Sequence, residues 1–220
     1  MSSPEGPSPR RRSATVEEAE ALPLRSKTPD ARADVACQDP LALLDDHAHL
    51  ERKAASNALE LLSRWPGEVA PEGWEGVMVS VAKDEAEHLA LVVKLLKARG
   101  GRLSKNHRNP YASGLRGLVR RGRGKEEIVD RLLVSALIEA RSCERFEILG
   151  RLMPDESLAR TFRGLWASEA GHYRVFLRMA RRVLPRKVVE ARWSELLDAE
   201  ALLIASQPPG PRVHSGLEPA

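Results

Sequence analysis

The chain of 220 residues contains only two cysteines, Cys37 and Cys143, far apart and without pattern. That excludes a disulfide framework and a cysteine zinc site. No apolar run approaches the roughly 18 residues of a membrane span. The first residues are Ser, Pro, Glu and Arg without an apolar stretch, so no signal peptide is expected and a cytoplasmic location follows. Aromatic residues make up 4% of the chain, which leaves few rings for stacking on bases. Acidic residues are missing from His88 through Lys125, a stretch that holds eleven Lys or Arg.

Long helical stretches are abundant. Apolar residues recur at helical spacing near 40–64, 72–99, 125–152 and 156–183, and a fifth segment near 186–206 carries Val188, Trp193, Leu196, Leu197 and Leu203. Asp39-Pro40 reads as N-cap and first residue of the first long helix. Trp65-Pro66-Gly67 and Met153-Pro154-Asp155 break the pattern, so each half reads as a helical hairpin. Residues 100–124, with seven glycines and prolines, form a long connection between the hairpins. Residues 1–38, with Ser-Pro and Arg-Arg-Arg but no sustained period, are expected to be a poorly ordered leader. Residues 39–206 are the helical domain, and 207–220 a tail rich in proline and glycine.

Two of the long helices carry Glu-x-x-His: Glu85-Ala-Glu-His88 and Glu169-Ala-Gly-His172. Residues three apart share a helix face, so each pair presents a carboxylate and an imidazole side by side. Two such pairs and one glutamate from each of two further helices make the di-metal site of ferritin-like bundles. The lone glutamates follow from height in the hairpins. Glu51 stands about 14 residues before Trp65 and Glu85 about 12 after Gly73; Glu139 is about 14 before Met153 and Glu169 about 14 after Asp155. At about 1.5 Å per residue these levels agree within a turn. Glu144, the rival on the third helix, is mismatched by about five residues and points about 140° away from the Glu139 stripe. All six side chains fall on apolar stripes, where isolated carboxylates are costly unless paired or metal-bound. A bland alternative is that they reach water at stripe edges. The expected fold is an all-α, ferritin-like four-helix bundle with a long crossover between helices two and three and an additional C-terminal helix.

Several stretches resemble the MiaE family of tRNA 2-methylthio-N6-isopentenyladenosine hydroxylases. They are Asp46-His-Ala-His-Leu-Glu-Arg-Lys-Ala-Ala-Ser56, Ile138-Glu-Ala-Arg-Ser-Cys-Glu-Arg-Phe146, the two ligand-pair helices, and the ending Arg212-Val-His-Ser-Gly216. The resemblance spans about residues 40–216. It implies a non-haem di-iron monooxygenase that hydroxylates the isopentenyl side chain of the modified adenosine at tRNA position 37, using O2 and two electrons from an unidentified reductase or ferredoxin. Carried over by resemblance, Glu51, Glu85, His88, Glu139, Glu169 and His172 are the ligands of two iron ions and hence the catalytic set. Carboxylate and imidazole donors suit iron or manganese better than a soft, thiolate-selected metal. The chain departs from the family at its arginine-rich leader and at Gly171.

Further expectations attach to this reading. Arg116, Arg120, Arg121, Arg123 and Lys125 are candidates for phosphate contact, because a basic cluster is the footprint of a nucleic-acid binder. The plain alternative is a solvated surface that balances acidic helices. Arg178, Arg181, Arg182, Arg186 and Lys187 form a second basic group. Val81, Phe146, Phe162, Leu165 and Trp166 are candidate walls for an apolar substrate group, His47 a candidate ligand orienter, and His214 a further candidate. A ferritin-like protein for metal storage or peroxide handling, with the same ligands and no RNA substrate, is the competing function.

Overall fold

The computed structural model describes residues 22–216, and among these it is all-α, with only an isolated bridge between Pro209 and Gly216 outside the helices. A short α1 (Arg32–Cys37) precedes α2 (Pro40–Leu62) and α3 (Trp74–Ala98), which form one hairpin; α5 (Lys125–Leu152) and α6 (Glu156–Val183) form the second. The crossover between the hairpins holds a short α4 (Pro110–Gly117), and α7 (Arg186–Ala205) packs outside against α4, α5 and α6. The architecture is the expected ferritin-like bundle. No described helix is long and apolar enough to cross a membrane.

Local chemistry sets the boundaries. Asp39 caps α2 by accepting from the Ala42 amide at 2.9 Å, with Pro40 in the first helical position. Asp155 caps α6 in the same way through the Ser157 and Leu158 amides. α3 ends on Gly100, whose φ of 79° lets the Gly101 amide reach back to the Leu96 carbonyl at 3.0 Å. Met153, forced to an extended conformation by the proline after it, ends α5.

The core falls into two apolar clusters. Ala58, Trp74, Met78, Val81, Leu133, Phe176 and Met179 belong to one, and Leu44, Ala48, Val92, Cys143, Phe146 and Phe162 to the other. Each large side chain buried this way contributes roughly 1.5–3 kcal/mol. Along every long helix the passage from one cluster to the other occurs at a charged or imidazole residue: Glu51 on α2, Glu85 and His88 on α3, Glu139 on α5, Glu169 and His172 on α6. A polar layer thus divides the core at mid-height.

The leader differs from expectation over part of its length. Its residues 1–21 lie outside the described residues, but 22–38 pack on the bundle. The Thr28 amide and hydroxyl donate to the Glu144 carboxylate, at 3.0 and 2.5 Å, and Arg151 holds Asp30 at 2.7 Å. Buried Arg32 donates to carbonyls of the C-terminal segment, and Ala33 and Ala36 close against the core. Leu22, Leu24 and Cys37 pack against the core as well, and apolar residues spaced this irregularly, with single polar anchors between them, leave no hydrophobic period. Of the tail, 207–216 also docks, and 217–220 lie outside the described residues. The Val213 amide donates to Asp46 at 2.9 Å, and the buried His214 ring lies on Tyr111 between Asn109 and Ser142. Burial, reinforced by neighbouring arginines, lowers the His214 pKa to about 3 and keeps the ring neutral. It is an element of the tail anchor and not of the polar layer.

Candidate metal centre

The polar layer brings the six sequence-selected residues together. Glu51, Glu85, Glu139, Glu169 and His172 are buried, and His88 is 14% exposed. Ligand atoms of Glu51, Glu85, His88 and Glu169 lie within 4.8 Å of one another. Nδ1 of His88 stands 3.6 Å from Glu51, 3.6 Å from Glu85 and 3.5 Å from Glu169. Nδ1 of His172 stands 2.7 Å from Glu85 and 3.8 Å from Glu169, and the two imidazole rings are 6.0 Å apart. Glu139 sits against Glu169 and Glu85. Glu144, the rival, is turned away to Thr28 and Arg141.

These donors converge without satisfying one another. Both carboxylate oxygens of Glu85 and of Glu169, and Nδ1 of both histidines, are buried without a hydrogen-bond partner among the described residues. Even the 2.7 Å approach of His172 to Glu85 lacks hydrogen-bond geometry. Burying such groups unpaired costs several kcal/mol each, unless a cation sits between them. Burial, then the negative charge of neighbouring glutamates, raises the Glu139 and Glu169 carboxyls well above the usual range. Burial also raises Glu85, against the pull of the two histidines. Glu51 is the exception: burial pushes it up, but His47 and His88 hold it below the ordinary value. Burial opposes the charged imidazoles, yet the carboxylates prevail and raise both His88 and His172 to about 9. Four glutamates and two imidazoles are thus concentrated where a cation would relieve the cost of their burial. Oxygen and nitrogen donors in this number fit two hard or borderline divalent ions.

Groups behind the layer orient it. Nε2 of His47 contacts Glu51 Oε1 at 2.5 Å, and its ring is held by Phe146 and Phe162, with centroids 4.7 and 5.6 Å away. Nε2 of His172 faces Asp84 at 3.4 Å. Such outer carboxylates fix the tautomer and tilt of a ligating imidazole. Asp84 escaped the sequence reading; its signal was only an acid directly before the first Glu-x-x-His. Cys143 is a core residue whose thiol donates to the Trp166 carbonyl at 3.6 Å, and burial holds it in the neutral form.

A cavity of about 290 Å³ opens between α2, α4 and α5 and reaches Glu139. Leu50, Ala54, Val134 and Ile138 line its throat, with Asn57 donating to Ser135 at 2.9 Å on one wall. Arg52, Lys53, Arg116, Arg121 and Arg131 surround it. The expected walls Val81, Phe146, Phe162, Leu165 and Trp166 do not line it; they fill the two apolar clusters, because large side chains on core stripes pack against each other before they border a void.

The crossover arginines separate into two kinds. Arg120 donates through its backbone amide, Nε and guanidinium to fully buried Asp130 at 2.8–2.9 Å, so its charge is spent inside the protein. Arg123 pairs with Glu126 at 3.6 Å, and Lys125 lies over the Trp65 ring. Arg116 and Arg121 border the cavity, and neither has a carboxylate within ion-pair distance among the described residues. In the second basic group Arg181 pairs with Glu190 and Arg182 donates to the Glu72 carbonyl, which makes these two ties between elements.

Fold and site together define a ferritin-like bundle with a buried carboxylate–histidine centre. Residues 15–215 match the family model described as tRNA-(MS[2]IO[6]A)-hydroxylase (MiaE). The chain belongs to the MiaE family. A relative from Pseudomonas putida, named tRNA 2-(methylsulfanyl)-N(6)-isopentenyladenosine(37) hydroxylase, is 41% identical over 194 residues, covering 88% of this chain and 92% of its own. A protein of the same name from Salmonella typhimurium is 35% identical over 143 residues, 65% of this chain and 52% of that one. Among solved structures, a Synechococcus protein described as having aldehyde deformylating oxygenase activity superposes with a TM-score of 0.81 at 33% identity, covering 88% of this chain and 96% of that one.

Proposed function

We propose that the protein is an O2-dependent di-iron tRNA hydroxylase that acts on the isopentenyl side chain of 2-methylthio-N6-isopentenyladenosine at position 37. One observation carries this beyond family membership: a cavity with apolar walls and five cations against the single outer carboxylate of Glu60 reaches Glu139, on the edge of the unpartnered carboxylate–histidine layer. A bare prenyl group attached to a polyanion has that same order of chemistry. Glu51, Glu85, His88, Glu139, Glu169 and His172 would hold two iron ions, manganese being the other metal the donors suit. When bound, the metal supplies the oxygen chemistry that no side chain can perform, with two electrons from a reductase or ferredoxin.

The chain's own residues do the rest. His47 and Asp84 hold Glu51 and His172 in place. Leu50, Ala54, Val134 and Ile138 exclude water around the prenyl group and orient it toward Glu139. Arg116 and Arg121, with Arg123 and Lys125 nearby, hold backbone phosphates, which fix register without reading sequence. Arg120 supports them by fastening the end of the crossover to Asp130. Such work on tRNA belongs in the cytoplasm.

Two other readings share the ligands. A storage or peroxide-handling protein has no use for a cation-ringed cavity. An aldehyde oxygenase, suggested by the Synechococcus neighbour, needs the apolar throat but not Arg52, Arg116 and Arg121 unpaired around it. Nucleoside analysis of tRNA from cells with and without the protein tests the proposal. The hydroxylated nucleoside should vanish and its isopentenyl precursor accumulate when the protein is absent. Identical nucleosides in both would refute it.

A further inference from the structure

We propose that Lys53 is the cation that grips a phosphate of the target nucleotide, and that Asp46 and His107 are positioning residues that hold it ready. This inference rests on the tRNA-hydroxylase reading above. A lysine normally forfeits much rotamer freedom when it binds an anion, so one already held in place binds at lower entropic cost.

The holding device is a directed chain of hydrogen bonds. The Val213 amide donates to Asp46 Oδ2 at 2.9 Å. Asp46 Oδ1 accepts from Nε2 of His107 at 2.7 Å, which places the imidazole proton on Nε2. Nδ1 of His107 is therefore an acceptor, and Lys53 Nζ donates to it at 2.8 Å. The imidazole lies parallel to His49, with ring centroids 4.7 Å apart, and His49 is itself tied to Ser104 at 3.1 Å. Asp46 and His107 are 5% and 6% exposed at the side chain, so their positions are fixed. An ammonium group has three N–H donors, and this arrangement uses one.

Lys53 lines the cavity and is half-buried, yet no carboxylate lies within ion-pair distance of it among the described residues. Arg52 and Arg116 line the same cavity, and Asp46 stands behind His107. Five cations share this cavity with Glu60 as the only carboxylate at its outer part, a surplus that an anion from outside completes. The anion that the proposed substrate brings is a phosphodiester beside the modified base. The chain of bonds links the Asp46–Ser56 stretch to the Arg212–Gly216 ending: one supplies the lysine and its aspartate, the other the amide that aims the aspartate.

A structural crosslink between α2 and the crossover is the rival account, and Lys53→Gln separates the two, since glutamine keeps a donor for His107 and removes the charge. The measurements are KM and kcat for tRNA bearing the isopentenyl nucleoside, and the salt dependence of tRNA binding, on the metal-loaded protein. Lys53→Gln should raise KM about tenfold at nearly unchanged kcat and reduce the slope of log K against log salt by about one. Lys53→Arg should restore both. His107→Ala should raise KM about threefold and leave the slope unchanged, because the charge stays but is no longer held. A Lys53→Gln protein with wild-type KM and slope would overturn the inference while leaving the hydroxylase reading intact. A wild-type protein that neither binds nor hydroxylates the tRNA would overturn both.

Discussion

Two charged clusters are buried within a few residues of each other on α5, and they are built on opposite terms. Every guanidinium nitrogen of Arg141 is answered, although Nε and Nη1 of buried Arg145, one turn on, have no partner among the described residues. The Arg141 guanidinium grips Glu200 through two bonds of 2.8 Å, reaches Glu144 and the Ser26 carbonyl, and Glu200 also accepts from Tyr111 at 2.9 Å. Two residues earlier, Glu139 belongs to a layer in which the Glu85 and Glu169 oxygens and both imidazole Nδ1 atoms converge without a hydrogen-bond partner among the described residues. Burial and the neighbouring Glu200 charge raise the Tyr111 pKa, and Glu200 outweighs burial in raising that of Arg141, so each keeps its proton. In the polar layer, burial and mutual repulsion push carboxyls toward protonation instead. A satisfied network needs nothing from outside; an unsatisfied one at equal depth is a site awaiting a ligand.

The comparison can be broken by substitution. Glu200→Ala leaves Nε and Nη2 of Arg141 buried without partners and should cost about 3–5 kcal/mol in urea unfolding, with metal per folded chain unchanged. Glu169→Gln should do the opposite: metal content falls below half, while the metal-free protein gains about 1 kcal/mol, because an unpaired buried carboxylate has been made neutral. A metal-free Glu169→Gln protein destabilised as much as Glu200→Ala would mean the two clusters do not differ in kind.

The crossover offers a smaller version of the same contrast. Arg120→Ala should lower stability by about 1–2 kcal/mol and leave the salt slope of tRNA binding intact, whereas Arg121→Ala should lower that slope by about one at unchanged Tm. The smallest effect concerns acid. Burial raises the Asp130 carboxyl, but Arg120 and Arg192 overcome it and hold its pKa below the ordinary value. A depressed folded pKa gives stability that is present above about pH 4 and is lost as pH falls through the folded value. Urea midpoints at pH 5 and pH 3 should therefore differ less in Arg120→Ala than in the wild type.

The fold and the six-residue layer were legible because helical periodicity and hairpin height are local arithmetic. Glu139 was separable from Glu144 by counting alone, and the structure places the first in the layer and the second on Thr28. The cavity was not legible. Its throat is lined by Leu50, Ala54, Val134 and Ile138, ordinary helix residues on two distant helices, and nothing in their spacing marks them as facing a void. Aromatic residues were the natural guess for its walls, and packing consumed them. The charge run of the crossover was visible, but not which arginine meets Asp130, since Asp130 lies on the next helix and its burial is a tertiary fact. The docking of residues 22–38 was hidden for a similar reason, resting on scattered polar contacts from Arg25, Thr28, Asp30 and Arg32 and on apolar residues without a helical period.

The central claim is that the unpartnered layer is a two-metal centre built on Glu139 and not on Glu144. Elemental analysis of the purified wild type, Glu139→Ala and Glu144→Ala, each reconstituted with ferrous iron, tests it directly. About two iron atoms per chain are expected in the wild type and in Glu144→Ala, with a clear loss in Glu139→Ala. Iron retained in full by Glu139→Ala and lost from Glu144→Ala would contradict the account.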